Sequence, residues 1–144
     1  QDARAFAASE GARLPTALEW AWAAVGSTGR STPVGSLEAA LASGANLAGP
    51  SSSIRALGTA PGDVNAFGLQ DMTGNVAELT ATLATIRGEN GWLVMGGSYR
   101  ASPAAALVTE ATPVPGWEPQ LGVGIRLVRG LEALKPAEDA VEPE

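Results

Sequence analysis

The chain contains neither cysteine nor histidine in its 144 residues. Within this stretch that excludes disulfides, a thiol nucleophile, an imidazole base and zinc sites of the usual kind. Aromatic residues make up only 5%, and nine Lys and Arg face fifteen Asp and Glu. With a net charge of −6 and an isoelectric point near 4.6, the chain lacks the basic stripe that a phosphate backbone requires, so nucleic acid is not an expected partner. No apolar run approaches the roughly 18 residues that cross a bilayer, so no transmembrane segment is expected. Nor does a signal peptide stand at Gln1, which says little, because a mature secreted chain would have lost one.

What is present points to a folded domain. Hydrophobic residues make up 45%, and mean hydropathy is +0.09, enough for a sizeable core at this length. Eighteen Gly and ten Pro argue against a helix bundle and for short strands joined by many turns. Residues 2–10 are strong helix formers closed by Gly11. After Arg13-Leu14-Pro15, Thr16 and Glu19 have the spacing of a capping box for a helix that runs to Val25 and stops at Gly26.

Residues 27–62 read as Gly-, Ser- and Ala-rich loop with one short helix near 36–43. Trp92–Ser98 reads as a buried strand broken by the pair Gly96-Gly97, which suggests a bulge or a close backbone contact. Residues 124–128 alternate as a half-exposed strand. These signals place a domain over 1–130 and an acidic, proline-containing tail over 131–144.

The chemically richest stretch is Asn65-Ala66-Phe67-Gly68-Leu69-Gln70-Asp71-Met72-Thr73-Gly74-Asn75-Val76-Ala77-Glu78. Its two carboxylates, Asp71 and Glu78, are separated by Gly74, which frees the backbone. Oxygen ligands so arranged suit a hard cation. Three other segments stand in order with it: Ala12–Trp20 with Arg-Leu-Pro-Thr, Met95-Gly96-Gly97-Ser98-Tyr99-Arg100, and Gly122–Arg129 with Gly124-Ile125-Arg126.

Together these four segments resemble the formylglycine-generating enzyme (sulfatase-modifying factor) family. The resemblance runs from about Asp2 to Arg129. It implies an α+β, C-type-lectin-like fold, loop-rich, with short strands and two or three helices. Family members begin with some tens of residues before the Arg-Leu-Pro-Thr motif, so the N-terminal part of the family domain is expected to be missing here, its sheet edge covered by another segment or chain.

The resemblance also implies a calcium ion held by the Asp71 and Glu78 side chains and the Gly74 and Val76 carbonyls. A second calcium would start at Asn46 and Leu47, although the following loop is shorter and the family's acidic ligand falls on Ile54. The family's copper-binding cysteine pair falls on Ala101 and Ala106, and a methyl group binds no copper. A relative that forms the carbon–sulfur bond of ergothioneine uses iron held by histidines, and this chain has none. Neither copper nor iron is therefore expected.

A tryptophan of the family has become Ala77. In a core that change leaves a cavity worth about 3–5 kcal/mol, so either repacking or another chain is expected to fill the gap. Trp92 reads as core, Trp117 as an exposed contact in a proline-stiffened loop, and Arg126 and Arg13 as structural arginines.

The resulting expectation is a module that is not an enzyme, a subunit or segment of a larger assembly, presenting the surface from Ser98 to Gln120 to a protein partner through Tyr99, Arg100 and Trp117. The alternatives are a ligand-binding lectin-fold receptor similar to retroelement variable proteins, or an enzyme of unfamiliar carboxylate chemistry. Calcium favours an extracytoplasmic setting, periplasmic or at the cell surface. The Ala-, Gly- and Arg-rich usage suggests a bacterial source.

Overall fold

The computed structural model describes residues 2–47, 53–116 and 119–130. The tail expected over 131–144 lies outside the described residues. Three helices come first: α1 (Asp2–Ser9), α2 (Ala17–Val25) and α3 (Leu37–Ala42). Four strands follow, β1 (Ala77–Ile86), β2 (Glu89–Met95), β3 (Thr112–Pro115) and β4 (Val123–Ile125), with a short 3-10 helix at Pro103–Ala106. They form one sheet in the order β3-β2-β1-β4.

Helix boundaries follow local chemistry. Gly11 takes φ 61° and closes α1, while the Ala12 amide reaches back to the Ala7 carbonyl at 2.9 Å. At α2, Thr16 Oγ1 accepts from the Glu19 amide at 3.1 Å and Glu19 Oε2 accepts from the Thr16 amide at 2.8 Å, which completes the expected box. A further orphan donor of that first turn, the Ala17 amide, is taken by Thr82 Oγ1 of β1 at 2.9 Å. The far end of α2 is closed by Asn65, whose Nδ2 donates to the Ala23 and Ala24 carbonyls at 2.7 and 3.0 Å. Asn65 Oδ1 accepts from the amides of Phe67 and Leu69, so one side chain fixes both the helix end and the turn of its own loop.

β1 and β2 form a hairpin through Arg87 (φ 52°) and Gly88 (φ 87°). Two consecutive positive φ angles make a two-residue turn whose twist matches the strands. Between Leu79 and Leu83 the register slips. There Thr80 Oγ1 donates to the Leu93 carbonyl and the Ala81 amide to the Pro15 carbonyl, tying the bulged strand to the entrance of α2. β4 runs parallel to β1, with Ala77 opposite Val123 and Glu78 opposite Gly124. The buried core joins Trp20 and Ala24 of α2 to Met72 and Met95.

Several sequence expectations need correcting. β1 is the longest strand, and β3 is a strand rather than a loop. β3 lies at the sheet edge, where Pro113 and Pro115 cost no interior ladder bond. The pair Gly96-Gly97 ends β2 rather than breaking it. A Cβ on Gly96 would lie 2.9 Å from the Met72 carbonyl oxygen and 3.0 Å from the Trp20 ring, so the close contact is present. Trp92 is only half-buried, with the Arg4 guanidinium 4.0 Å from its ring centroid. Ile125 faces outward and Arg126 inward, the reverse of an ordinary half-exposed strand. Among the described residues no helix is long and apolar enough to cross a membrane.

The cap of α2 is sensitive to acid. The Arg13 guanidinium, bidentate at 2.6 and 2.7 Å, and then the Thr16 amide hold the Glu19 carboxyl down at about 2, against an ordinary 4.5. A depressed carboxyl stabilises the fold above its unfolded value and loses that contribution as pH falls towards the folded one. The melting temperature is expected to fall between pH 4.5 and 2, and Glu19→Gln should flatten that part of the curve. Parallel wild-type and variant curves would refute this.

Candidate functional site

Two concavities flank the start of β1. The larger, about 310 Å³, is lined by Asp71, Asn75, Val76, Glu78, Ile125 and Arg126, among others. Asp71 and Glu78 therefore share one pocket although seven positions apart. Asp71 and Asn75 adopt left-handed backbone at φ 55° and 63°, on either side of Gly74 at 85°. A non-glycine residue holds such a conformation only where its surroundings fix it. For Asn75 those surroundings are plain: its Oδ1 accepts from the Arg55 amide at 2.9 Å and its Nδ2 donates to the Arg55 carbonyl at 3.2 Å.

Glu78 is 5% exposed and heavily committed. Its Oε2 accepts from Trp20 Nε1 at 2.5 Å and from Arg126 Nε at 2.8 Å, and its Oε1 accepts from Arg126 Nη2 at 2.6 Å. Arg126 Nη2 also donates to the Gln70 carbonyl at 2.8 Å. A carboxylate offers about four lone-pair sites, so three of Glu78's are in use. Asp71 accepts from the Gly58 amide at 2.5 Å through Oδ2, which leaves Oδ1 for another ligand.

Of the four residues expected to hold calcium, Asp71, Val76 and Glu78 line this pocket and offer oxygen, as calcium requires, but Gly74 is not in its lining and Arg126 stands inside it. Unit charges about 4 Å apart interact by about 4 kcal/mol at an effective dielectric near 20, so the guanidinium opposes a dication about as strongly as one carboxylate attracts it. Among the described residues no three Asp or Glu converge. At the second expected site, Asn46 Nδ2 donates to Asn75 Oδ1 and to the Ser53 carbonyl, binding two loops together. Leu47 is buried and Ile54 is 60% exposed.

Asp63, which no sequence motif singles out, is 2% exposed. Its Oδ2 accepts weakly from the Thr73 amide at 3.3 Å, while its Oδ1 and Thr73 Oγ1 are buried without a hydrogen-bond partner. Burial raises its carboxyl above its ordinary value.

The smaller concavity, about 150 Å³, lies between the start of β1, the end of β2 and the 3-10 turn, with Ala77, Ser98, Ala101 and Ala105 in its wall. Ala101 is half-buried and Ala106 fully buried, so of the two alanines in question only Ala101 lines it. Ala77, itself 7% exposed, also lines it. Beside it Tyr99 is half-buried, its amide bonded to the Asn75 carbonyl at 2.9 Å, and Arg100 is exposed. Trp117 lies outside the described residues.

A curled α+β sheet with few helices, loops stitched by buried asparagines, and a carboxylate locked under the N-terminal helices define a domain of the formylglycine-generating-enzyme type. Residues 1–131 match the model of the sulfatase-modifying factor enzyme 1-like domain, and the chain belongs to that family. Hercynine oxygenase of Mycolicibacterium smegmatis is 39% identical over 85 residues, which is 56% of this chain and 20% of that protein. Treponema denticola variable protein 1 superposes with a TM-score of 0.69 at 27% identity, covering 81% of this chain and 46% of that one. CarF superposes with a TM-score of 0.60 at 24% identity over 82% of this chain and 47% of its own. The chain thus spans about half the length of these structures and a fifth of the oxygenase.

These findings overturn the expectation that the protein is not an enzyme. The family is one of enzymes, and the curated relative is an oxygenase. Missing residue types constrain only the residues at hand. A lack of Cys and His in 144 positions excludes thiol and imidazole chemistry from those positions and nothing more.

The Glu78 lock makes a direct prediction. Removing one partner of a buried ion pair strands the other, at a cost of about 3–5 kcal/mol. With the Arg126 side chain 25% exposed, Arg126→Met is expected at the lower end, about 3 kcal/mol by denaturant unfolding. A change below about 1 kcal/mol would place the lock among ordinary surface pairs.

Proposed function

We propose that this chain supplies the binding and structural frame of a sulfatase-modifying-factor-type domain and works as a segment of a larger protein assembly. The observation that carries this reading is the concavity at Ser98, Ala101 and Ala105, set against the sheet and flanked by exposed Arg100 and half-buried Tyr99. The enzymatic character of the family comes with the reading, and the part these residues play in it is to shape and hold the site. Similarity to an oxygenase and to a variable protein supports a shared scaffold, while function resides in the site rather than the fold.

The face can be tested by position. With a photo-crosslinking phenylalanine at Tyr99 in the full-length protein in its host, partner adducts are expected that Arg100→Glu reduces. The same probe at Arg87, on the distant hairpin tip, should yield none of them. Identical adducts from both positions would end the proposal.

Calcium at Asp71, Gly74, Val76 and Glu78 forms part of this reading, as a weak site. With Arg126 opposing it, the dissociation constant is expected at the loose end of calcium sites, on the order of 10⁻⁴–10⁻³ M. Calorimetry should find one such event, lost in Asp71→Ala; no event up to about 10 mM would remove calcium from the account.

A further inference from the structure

The cavity beside Ala101 has a specific chemistry. Its lining includes no Asp, Glu, Lys or Arg among the described residues. Methyl and isopropyl groups of Ala77, Ala101, Ala105, Val94 and Val114 dominate, while Ser98 and Thr112 add hydroxyls and Gln120 an amide. A charged group placed there would lose hydration without meeting an opposite charge. An apolar group would lose only water contacts, which favours binding.

The cavity is open because small residues stand where larger ones would fill it, and its walls cannot collapse. The β1–β4 ladder fixes Ala77 against Val123, and the β2–β3 ladder fixes Val94 against Thr112. The third wall is set by a close approach: a Cβ on Gly97 (φ 69°) would lie 3.1 Å from the Ala105 carbonyl carbon and the Ala106 amide nitrogen. The chain therefore passes tightly under the 3-10 turn, leaving the space above Ala101 and Ala105.

We infer that this cavity is a binding pocket for one uncharged apolar group of about four to six carbons, carried by a peptide side chain or by a free small molecule. The size follows from the volume of about 150 Å³, since an apolar cavity of about 150 Å³ in another protein holds a benzene molecule. Because the pocket opens to solvent on one side, the rest of a larger ligand can project past Tyr99 and Leu121, which is 79% exposed. This inference rests on the binding role proposed above and names its ligand chemistry.

The test uses the chain with ¹³C-labelled alanine methyls, titrated separately with benzene, N-acetyl-leucine amide and N-acetyl-aspartate amide. Saturable shifts confined to Ala77, Ala101 and Ala105 are expected with an apolar probe and none with the charged one. Response to the leucine amide identifies a peptide side chain as the source; response to benzene alone identifies a free molecule. Ala105→Leu and Ala101→Leu should each weaken binding at least ten-fold, while Ala104→Leu, on the exposed neighbour, should leave it intact and report that the turn still folds. Absence of saturable shifts with both apolar probes, equal binding of the aspartate amide, or retained binding in a folded Ala105→Leu would overturn the inference. Apolar binding together with failed crosslinking at Tyr99 would sink the assembly reading and leave the pocket standing.

Discussion

The Glu78 carboxylate holds this molecule together. It lies at 5% exposure where α2, β1 and the segment after β4 converge, and it receives hydrogen bonds from Trp20 and Arg126. Burying a charge is costly unless it is paired and hydrogen-bonded, so each partner is obligatory once Glu78 is inside. Trp20 must bring an indole N–H to the core, which fixes the rotation of α2. Arg126 must face inward, which inverts the alternation of its segment and leaves Ile125 at the surface. Through Nη2 the same guanidinium reaches the Gln70 carbonyl and ties down the loop before β1.

Asparagines do for the loops what Glu78 does for the core. Asn65 ends α2 and turns its own segment, while Asn75 pairs with both backbone groups of Arg55. Asn46 joins Asn75 to the Ser53 carbonyl. Each side chain carries both a donor and an acceptor, so it can satisfy a backbone segment that has no strand neighbour. This is how a chain with long irregular stretches avoids leaving buried amides and carbonyls unpaired.

What is legible in the sequence is local or motif-borne. The capping box and the stop at Gly26 depend on residues within a few positions of one another, and the sequence states them directly; the pair Gly96-Gly97 announces a tight spot but not its distant partners, Met72 and Trp20. The ordered motifs carry the fold class. β1 escapes notice because its Thr- and Ala-rich text, Ala77–Ile86, has few large apolar residues, although its β-branched alternation and the Arg87-Gly88 turn are there to be read. β3 is hidden by its two prolines, which the sheet tolerates only because the strand is an edge. The partnership of Glu78 is half legible: a structural arginine at 126 is expected from the sequence, but Trp20 lies 58 positions away and nothing local announces it. The cavity is foreshadowed by Ala77 alone. Its other walls come from separate segments that only the tertiary fold assembles.

The core and the cavity are two sides of one strand. Successive residues of β1 point to opposite faces, so Glu78 turns into the locked pocket while Ala77 turns into the small cavity. Whatever fixes Glu78 therefore also fixes the cavity wall, at a distance of one residue. A soft wall would close over a 150 Å³ space and recover its packing energy. A wall held by a bidentate ion pair on its reverse face cannot move inward without breaking that pair. The same interaction that organises the core thus keeps the cavity preformed, and a preformed pocket avoids the ordering cost that a flexible one incurs on association.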